Sequence, residues 1–288
     1  MRRSVETDMG AWRSKALAIV VAAGLGSLML ATARAEDTIP PRQSWSFSGP
    51  FGVYDRGQLQ RGFKVYREVC GNCHSLKLVS FRDLGDPTGP GFTPAQVAAI
   101  AADYKVTDGP NDQGEMFERP GRPADHFPPR YPNDQAARAV LGVAPPDMSV
   151  LAKARGYERG FPWFIFDVFT QYQEEGVDYI TALLQGYEEA PQGVNVPQGA
   201  YYNKYFPGHA IAMPQPLASN GQVEYTDGTP ADLQHYSQDV SAFLMWTAEP
   251  TLVRRKRLGL QVMVVLIVLA GLLYFTKKQV WSQVGGHA

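Results

Sequence analysis

The sequence predicts a mostly α-helical domain with long loops, followed by one C-terminal helix long enough to cross a membrane. Three observations predict it. Apolar residues recur at three- and four-residue steps in several stretches, the first being Leu59, Phe63, Tyr66 and Val69. Between these stretches run Pro- and Gly-rich segments without strand-like alternation. Near the end lies an apolar run from Leu258 to Phe275, with Gln261 its only strongly polar residue. At 1.5 Å per residue that run covers about 27 Å, close to the ~30 Å of bilayer hydrocarbon.

The chemistry centres on Cys70-Gly71-Asn72-Cys73-His74. Two thiols at this spacing can add to the two vinyl groups of one porphyrin edge, and the next imidazole can reach the iron. The pattern is that of covalent c-type haem attachment. Cys70 and Cys73 are the only cysteines in 288 residues. A structural zinc site would need a second Cys or His pair at ligand spacing, and the sequence has none. A redox Cys-x-x-Cys would not need His74 directly after it.

Charge is unevenly distributed. Residues 1–35 carry five basic and two acidic residues, and residues 251–288 carry six basic and none acidic. Residues 36–250 are left with 16 basic and 26 acidic residues, a net of −10. Such a domain repels nucleic acid and attracts a basic protein partner. The N-terminus has Arg2, Arg3, Arg13 and Lys15 before an apolar run from Ala16 to Ala31, then Ala33-Arg34-Ala35. This reads as a secretory signal cut after Ala35.

Taken in order, residues 36–56 read as irregular, punctuated by Pro40-Pro41 and Gly49-Pro50. A helix from Gly57 delivers the two cysteines. Residues 81–92 read as loop. Thr93, Pro94 and Gln96 form an N-cap, first-turn proline and capping box for a helix towards Tyr104. Residues 107–132 read as a surface excursion without usable period. Asn133 caps a short helix through Leu141, which Pro145-Pro146 ends. Ser149 to Arg155 suits one or two helical turns.

Residues 161–172 are aromatic-rich. A helix over 177–185 puts Tyr179, Ile180, Leu183 and Leu184 on one side, with Gly186 as terminator. The long segment 188–222 lacks periodicity, but its tyrosines argue against disorder. Thr229-Pro230 reads as the start of a helix with Leu233, Tyr236, Val240, Phe243, Leu244 and Thr247 on its inner face. The domains expected are therefore a signal peptide (1–35), a haem domain (36–250), a membrane anchor (251–275) and a tail (276–288). The cluster Arg254-Arg255-Lys256-Arg257 and the pair Lys277-Lys278 flank the anchor. Charge alone would put the more basic flank in the cytoplasm. An exported haem domain overrides that bias, so the domain is expected in the periplasm and the tail in the cytoplasm.

The iron's sixth ligand is open from the residues alone. A thioether would raise the reduction potential and suit electron transfer. Met213, in Ala212-Met213-Pro214, has a backbone restricted by the following proline. Met148, after Pro145-Pro146-Asp147, is its main rival. Met116 has no distinguishing context, Met245 reads as packing and Met263 falls in the apolar run. His126, His209 and His235 are further candidates.

An ordered series of motifs narrows the reading. It runs through Asp108-Gly109-Pro110-Asn111, Gly114-Glu115-Met116-Phe117, Arg119-Pro120-Gly121, Tyr131-Pro132-Asn133, Pro145-Pro146-Asp147, Tyr205-Phe206-Pro207-Gly208, Ile211-Ala212-Met213-Pro214, Asp227-Gly228-Thr229-Pro230 and Glu249-Pro250. With the haem motif and the C-terminal anchor, this series resembles the cytochrome c1 family, the haem subunits of cytochrome bc1 complexes. Residues 157–176 are similar to bacterial rather than mitochondrial members.

The resemblance implies a class I cytochrome c-like haem domain carrying one covalent haem c. It implies His74 and Met213 as the iron's ligands, Arg155 near a propionate, Pro145-Pro146 lining the haem and Tyr179 nearby. It implies cytochrome b, a Rieske iron–sulfur protein and a cytochrome c-type electron acceptor as partners in the bacterial inner membrane. The chain would pass electrons during ubiquinol oxidation and make no substrate bonds itself. A free-standing anchored electron carrier is the alternative, and a haem enzyme with an open iron, such as a peroxidase, a further one. The acidic groups Glu174-Glu175-Asp178 and Glu188-Glu189 are candidates for steering a basic carrier, against the commoner role of a plain solvated face.

Overall fold

The computed structural model describes residues 38–157, 160–170 and 172–282, the side chains of residues 168 and 169 excepted. The expected signal peptide and residues 283–288 of the tail lie outside the described residues. The described chain is mostly helical, with two small antiparallel ladders.

Two helices form the centre. The first, α1 (Arg56–Glu68), starts where Asp55 turns its carboxylate back to accept from the Gln58 N–H at 2.7 Å. It buries Leu59, Phe63, Val65 and Tyr66. α2 (Pro94–Ala102) has the expected Thr93–Gln96 capping box. α3 (Asp134–Leu141) is capped by the Asn133 side-chain oxygen, which accepts from the Ala136 N–H at 2.8 Å, and α4 (Leu151–Ala154) is a single turn. α5 (Trp163–Thr170), α6 (Glu175–Gln185), α7 (Leu233–Ala248) and α8 (Leu252–Ser282) follow.

α1 crosses α7 at Gly62. A Cβ there would lie 2.0 Å from the Asp239 carbonyl oxygen, so only glycine permits this approach. Next to the crossing, Arg61 donates to buried Asp239 at 2.8 and 3.2 Å and to Asp227 at 2.7 Å. α6 packs on the other side of α7, joined by Thr181–Ser241 (2.9 Å) and Gln185–Ser237 (2.5 Å) side-chain bonds. The core around this trio contains Leu59, Val65, Val177, Tyr236, Phe243 and Trp246. Each large side chain buried this way contributes about 1.5–3 kcal/mol.

The expected inner face of α7 is buried, but its start is not where the sequence suggests. Asp232 is the N-cap, accepting from the His235 N–H at 2.9 Å. Thr229 instead donates its N–H to Asp227 at 3.0 Å, so Thr229-Pro230 closes an upstream turn. Within 81–92, Phe81–Gly85 forms a short 3-10 helix, its start held by Ser80 N–H on the Asp83 carboxylate. Residues 107–132 are also more ordered than expected. β1 (Lys105–Asp108) pairs with β2 (Phe117–Pro120), and Arg119 bridges Asp108 and Asp125. Both strands are largely exposed on both faces, so no apolar alternation marks them.

Within 188–222, β3 (Tyr201–Tyr202) pairs with β4 (Ala210–Ile211). α8 runs 31 residues, with a mean hydropathy of 2.5 over its most apolar window and none of that window buried. By length and composition it is a candidate membrane span. Its helix continues past the expected anchor limit of residue 275.

Candidate haem-attachment site

The haem motif occupies the turn that ends α1. Val69 closes the helix, and Cys70–Asn72 makes one 3-10 turn. The Cys73 and His74 N–H groups both donate to the Cys70 carbonyl, at 3.1 and 2.9 Å. This coil gathers the two thiols and the imidazole on one short segment. Asn72 satisfies helix-end carbonyls, donating to Glu68 and Val69 at 3.1 and 3.2 Å. The Tyr66 hydroxyl donates to the His74 carbonyl at 3.0 Å.

A second segment holds the motif from outside the helix. Met148 N–H donates to the Ser75 carbonyl at 2.8 Å, and Lys77 N–H to Asp147 at 2.9 Å. Leu78 N–H donates to Ser149 at 3.1 Å. The His74 Nδ1 lies 2.8 Å from the Pro146 carbonyl oxygen. A carbonyl can only accept, so Nδ1 carries the proton and Nε2 keeps its lone pair. Metal-binding histidines are oriented in this way. Burial, above all, pulls the His74 pKa below its ordinary value and favours the neutral ring. Burial likewise pushes the Cys70 thiol up to about 12. Both thiols are free of any disulfide.

Cys73, Pro145 and Pro146 line a cavity of about 340 Å³, together with Tyr131, Ala137 and Arg138. The donor set therefore fits a covalent haem: two free thiols, an oriented neutral imidazole and an adjacent apolar and basic wall. Tyr131 falls in one of the motifs quoted above, but nothing in the local spacing of Tyr131 or Arg138 pointed to a cavity.

The other expected site residues are spread more widely. Met213 lies two residues beyond β4 and does not line that cavity. Its carbonyl accepts from the Tyr187 hydroxyl at 3.0 Å. Tyr187 in turn lies close enough to buried Tyr179 to feel its charge, while burial is the main cause raising its pKa. Arg155 is exposed, and its N–H closes α4 on Leu151 at 3.0 Å. Of the rival ligands, Met148 and Met245 sit in the hydrophobic core, and Met116 and Met263 are exposed. His209 faces the Asn203 carbonyl at 3.3 Å, and His235 faces Asp232 at 2.7 Å.

The expected acidic steering surface needs correction. Glu174 and Asp178 are internal, at 3 % and 0 % exposure. Asp178 accepts from the Trp45 indole at 2.8 Å, the Gln43 N–H at 3.0 Å and the Tyr172 hydroxyl. Burial raises its pKa despite those donors. Of the five acids, Glu188 and Glu189 are exposed and Glu175 is half-buried.

The model of the cytochrome c1 family matches residues 45–284, a range that contains the haem motif and all of α8. The chain belongs to the cytochrome c1 family. It is 51 % identical over 247 residues to "Cytochrome c1" of Blastochloris viridis, covering 85 % of this chain and 87 % of that one. It is 42 % identical over 277 residues to "Cytochrome c1, heme protein, mitochondrial" of Kluyveromyces lactis, covering 93 % and 87 %. A "Cytochrome b/c1" of Bradyrhizobium diazoefficiens is 62 % identical over 273 residues, 93 % of this chain. The match spans 40 % of that longer relative. The family expected from the motifs, the mostly helical haem domain and the single apolar C-terminal helix are thus all found. Members of this family are haem proteins of the electron-transport chain.

Proposed function

We propose that the chain is the electron-transferring haem subunit of a bacterial cytochrome bc1 complex, with one haem c bound through Cys70 and Cys73 and its iron held by His74 and Met213. The observation that carries this is the His74 ring, locked at Nδ1 by the Pro146 carbonyl and flanked by two free thiols. The bound haem supplies one-electron exchange between ferric and ferrous iron. The chain's residues do the rest by holding still. The 146–149 segment pins residues 74–78 by backbone bonds, and Tyr187 holds the Met213 carbonyl, so both ligand segments stay fixed through a change of charge.

In this reading the head, residues 36–250, faces the periplasm after the signal 1–35 is removed, and the segment from Thr276 lies in the cytoplasm. Electrons arrive from a Rieske iron–sulfur protein and leave to a cytochrome c-type carrier, with cytochrome b beside the anchor. Pro145 would wall the haem, and Arg155 and Tyr179 would lie near it. Replacing Met213 by Leu tests the ligand set. The reduction potential is expected to fall by on the order of 200 mV, with ferrous haem gaining carbon monoxide binding. An unchanged potential removes Met213 from the iron. Pigment extracted completely by acidified acetone removes the covalent haem altogether.

A further inference from the structure

α5 is the anomaly of the head. Phe161, just before it, is 80 % exposed, and Trp163, Phe164, Ile165 and Phe166 are 52, 57, 41 and 54 % exposed. Asp167 is its only charged residue. A helix turned to water normally shows polar side chains on its outer face, and a run of exposed aromatics marks a surface that meets something apolar.

The base of this excursion shows what that is. Its two ends are clamped together where the Tyr157 and Tyr172 hydroxyls meet at 2.9 Å. Next to the clamp, Gln173 accepts from Lys153 at 3.3 Å and from Arg255 at 3.5 Å. Lys153 and Arg255 also both bind Glu249, each at 2.6 Å. Arg255 is in the first turn of α8, and the apolar run begins three residues later at Leu258, a rise of about 4.5 Å. The aromatic helix is therefore rooted at the foot of the candidate span. Eight residues of helix are about 12 Å long, enough to lie along the headgroup boundary from that root. Trp and Phe side chains are the ones that partition to this zone.

We propose that α5 lies in the membrane–water interface beside α8, with the paired Phe161 and Phe164 taking lipid. The inference rests on the reading of α8 as the membrane anchor. It makes the head touch the bilayer at two points, which restricts how far it can tilt on a single-helix tether.

Spin-labelled cysteines in the haem-loaded full chain, held in phosphatidylcholine nanodiscs, test it. The native thiols are consumed by the haem, so each variant carries one reactive cysteine. Phe164→Cys reports α5, Leu266→Cys reports the anchor, and the 68 %-exposed Val140→Cys reports water. Where Phe164→Cys lowers the yield, Phe161→Cys replaces it. The ratio of oxygen to nickel-chelate accessibility at 164 is expected to exceed that at 140 by at least about threefold and to approach that at 266. A water-like value at 164 with a lipid-like value at 266 overturns the proposal and leaves the anchor standing. A water-like value at 266 overturns both. A label at 164 that is water-like in the isolated subunit and shielded only in the assembled complex also overturns it, by assigning α5 to a protein partner.

Discussion

The α1–α7 crossing and the loop that carries Met213 are built by opposite means. At the crossing, two helices approach until a glycine meets a backbone carbonyl, and Phe63, Tyr236 and Phe243 fill the surrounding space. Between Gly186 and Met213 the only ladder is two residues a side. There the order comes largely from polar groups, the Asn203 and Tyr187 side chains and the backbone bridge between these two residues, with Ile211 the main buried apolar side chain. The motif turn carrying His74 grows directly from the first kind of structure, and the proposed sixth ligand sits on the second. If His74 and Met213 hold the iron as proposed, one ligand would be tied to the helical core and the other to a loop held largely by polar bonds, with Ile211 its nearest buried apolar anchor.

The largest test of this contrast is Gly62→Ala. The added methyl would lie 2.0 Å from the Asp239 carbonyl, so the helices must separate. Overpacking at such a contact costs typically 1–3 kcal/mol, and with backbone on the far side about 3 kcal/mol is expected. Denaturant unfolding of the haem-loaded head measures it. The reduction potential of the folded fraction should stay as in the wild type, because the ligand loop is untouched. A potential that moves with stability would mean that core and loop are one unit.

The same contrast explains what could be read from the sequence. The centre was legible because helices announce themselves by period and caps: Thr93–Gln96 and Asn133 sit where the local pattern put a helix start, and α1 begins one residue before the expected Gly57, on a cap, Asp55, that the periodicity did not single out. The largest misplacement of a start, at α7, followed from two competing caps three residues apart, and the carboxylate of Asp232 captured the helix. The haem motif was legible because its chemistry needs contiguous residues. The β1–β2 hairpin left no mark because neither of its faces is buried. Tyr187 was not legible at all, since one hydroxyl reaching a carbonyl 26 residues away has no local signature. Glu174 and Asp178 misled because an acidic run ordinarily faces water, and here Trp45 and Tyr172 draw Asp178 inside.

Asn203→Ala probes the loop side. Asn203 is fully buried. It donates to the Leu183 carbonyl at 2.7 Å and accepts from the Tyr205 and Phe206 N–H groups at 3.0 and 3.2 Å. Removing it leaves one buried carbonyl and two N–H groups to find new partners, a cost of about 2 kcal/mol. Because that cost falls on the segment leading to Met213, it should loosen the proposed ligand before it unfolds the head. The measurement is carbon monoxide binding by the ferrous protein, expected to be absent in the wild type and present in the variant. Lost stability without carbon monoxide binding would show that Met213 does not depend on this loop's order.

The smallest effect belongs to pH and to the β1–β2 excursion, which is also held by polar side chains. Asp125 accepts from Arg119 at 2.6 and 3.0 Å and from the Arg122 N–H at 2.7 Å. The Arg119 guanidinium, first, and then the Arg122 N–H hold its carboxyl down at about 2, below the ordinary 3.8. A carboxylate depressed on folding adds stability that is fully present above its unfolded value and is lost as pH falls through the folded one. The wild type should therefore melt above Asp125→Asn at neutral pH, by about 3 °C or less for a pair this near the surface. That gap should narrow between pH 3.8 and about 2 and vanish below. The Gly62→Ala deficit, being steric, should persist across the same range. A gap for Asp125→Asn that ignored pH would mean that the excursion is held by packing, and that the division between the two halves of the molecule is drawn in the wrong place.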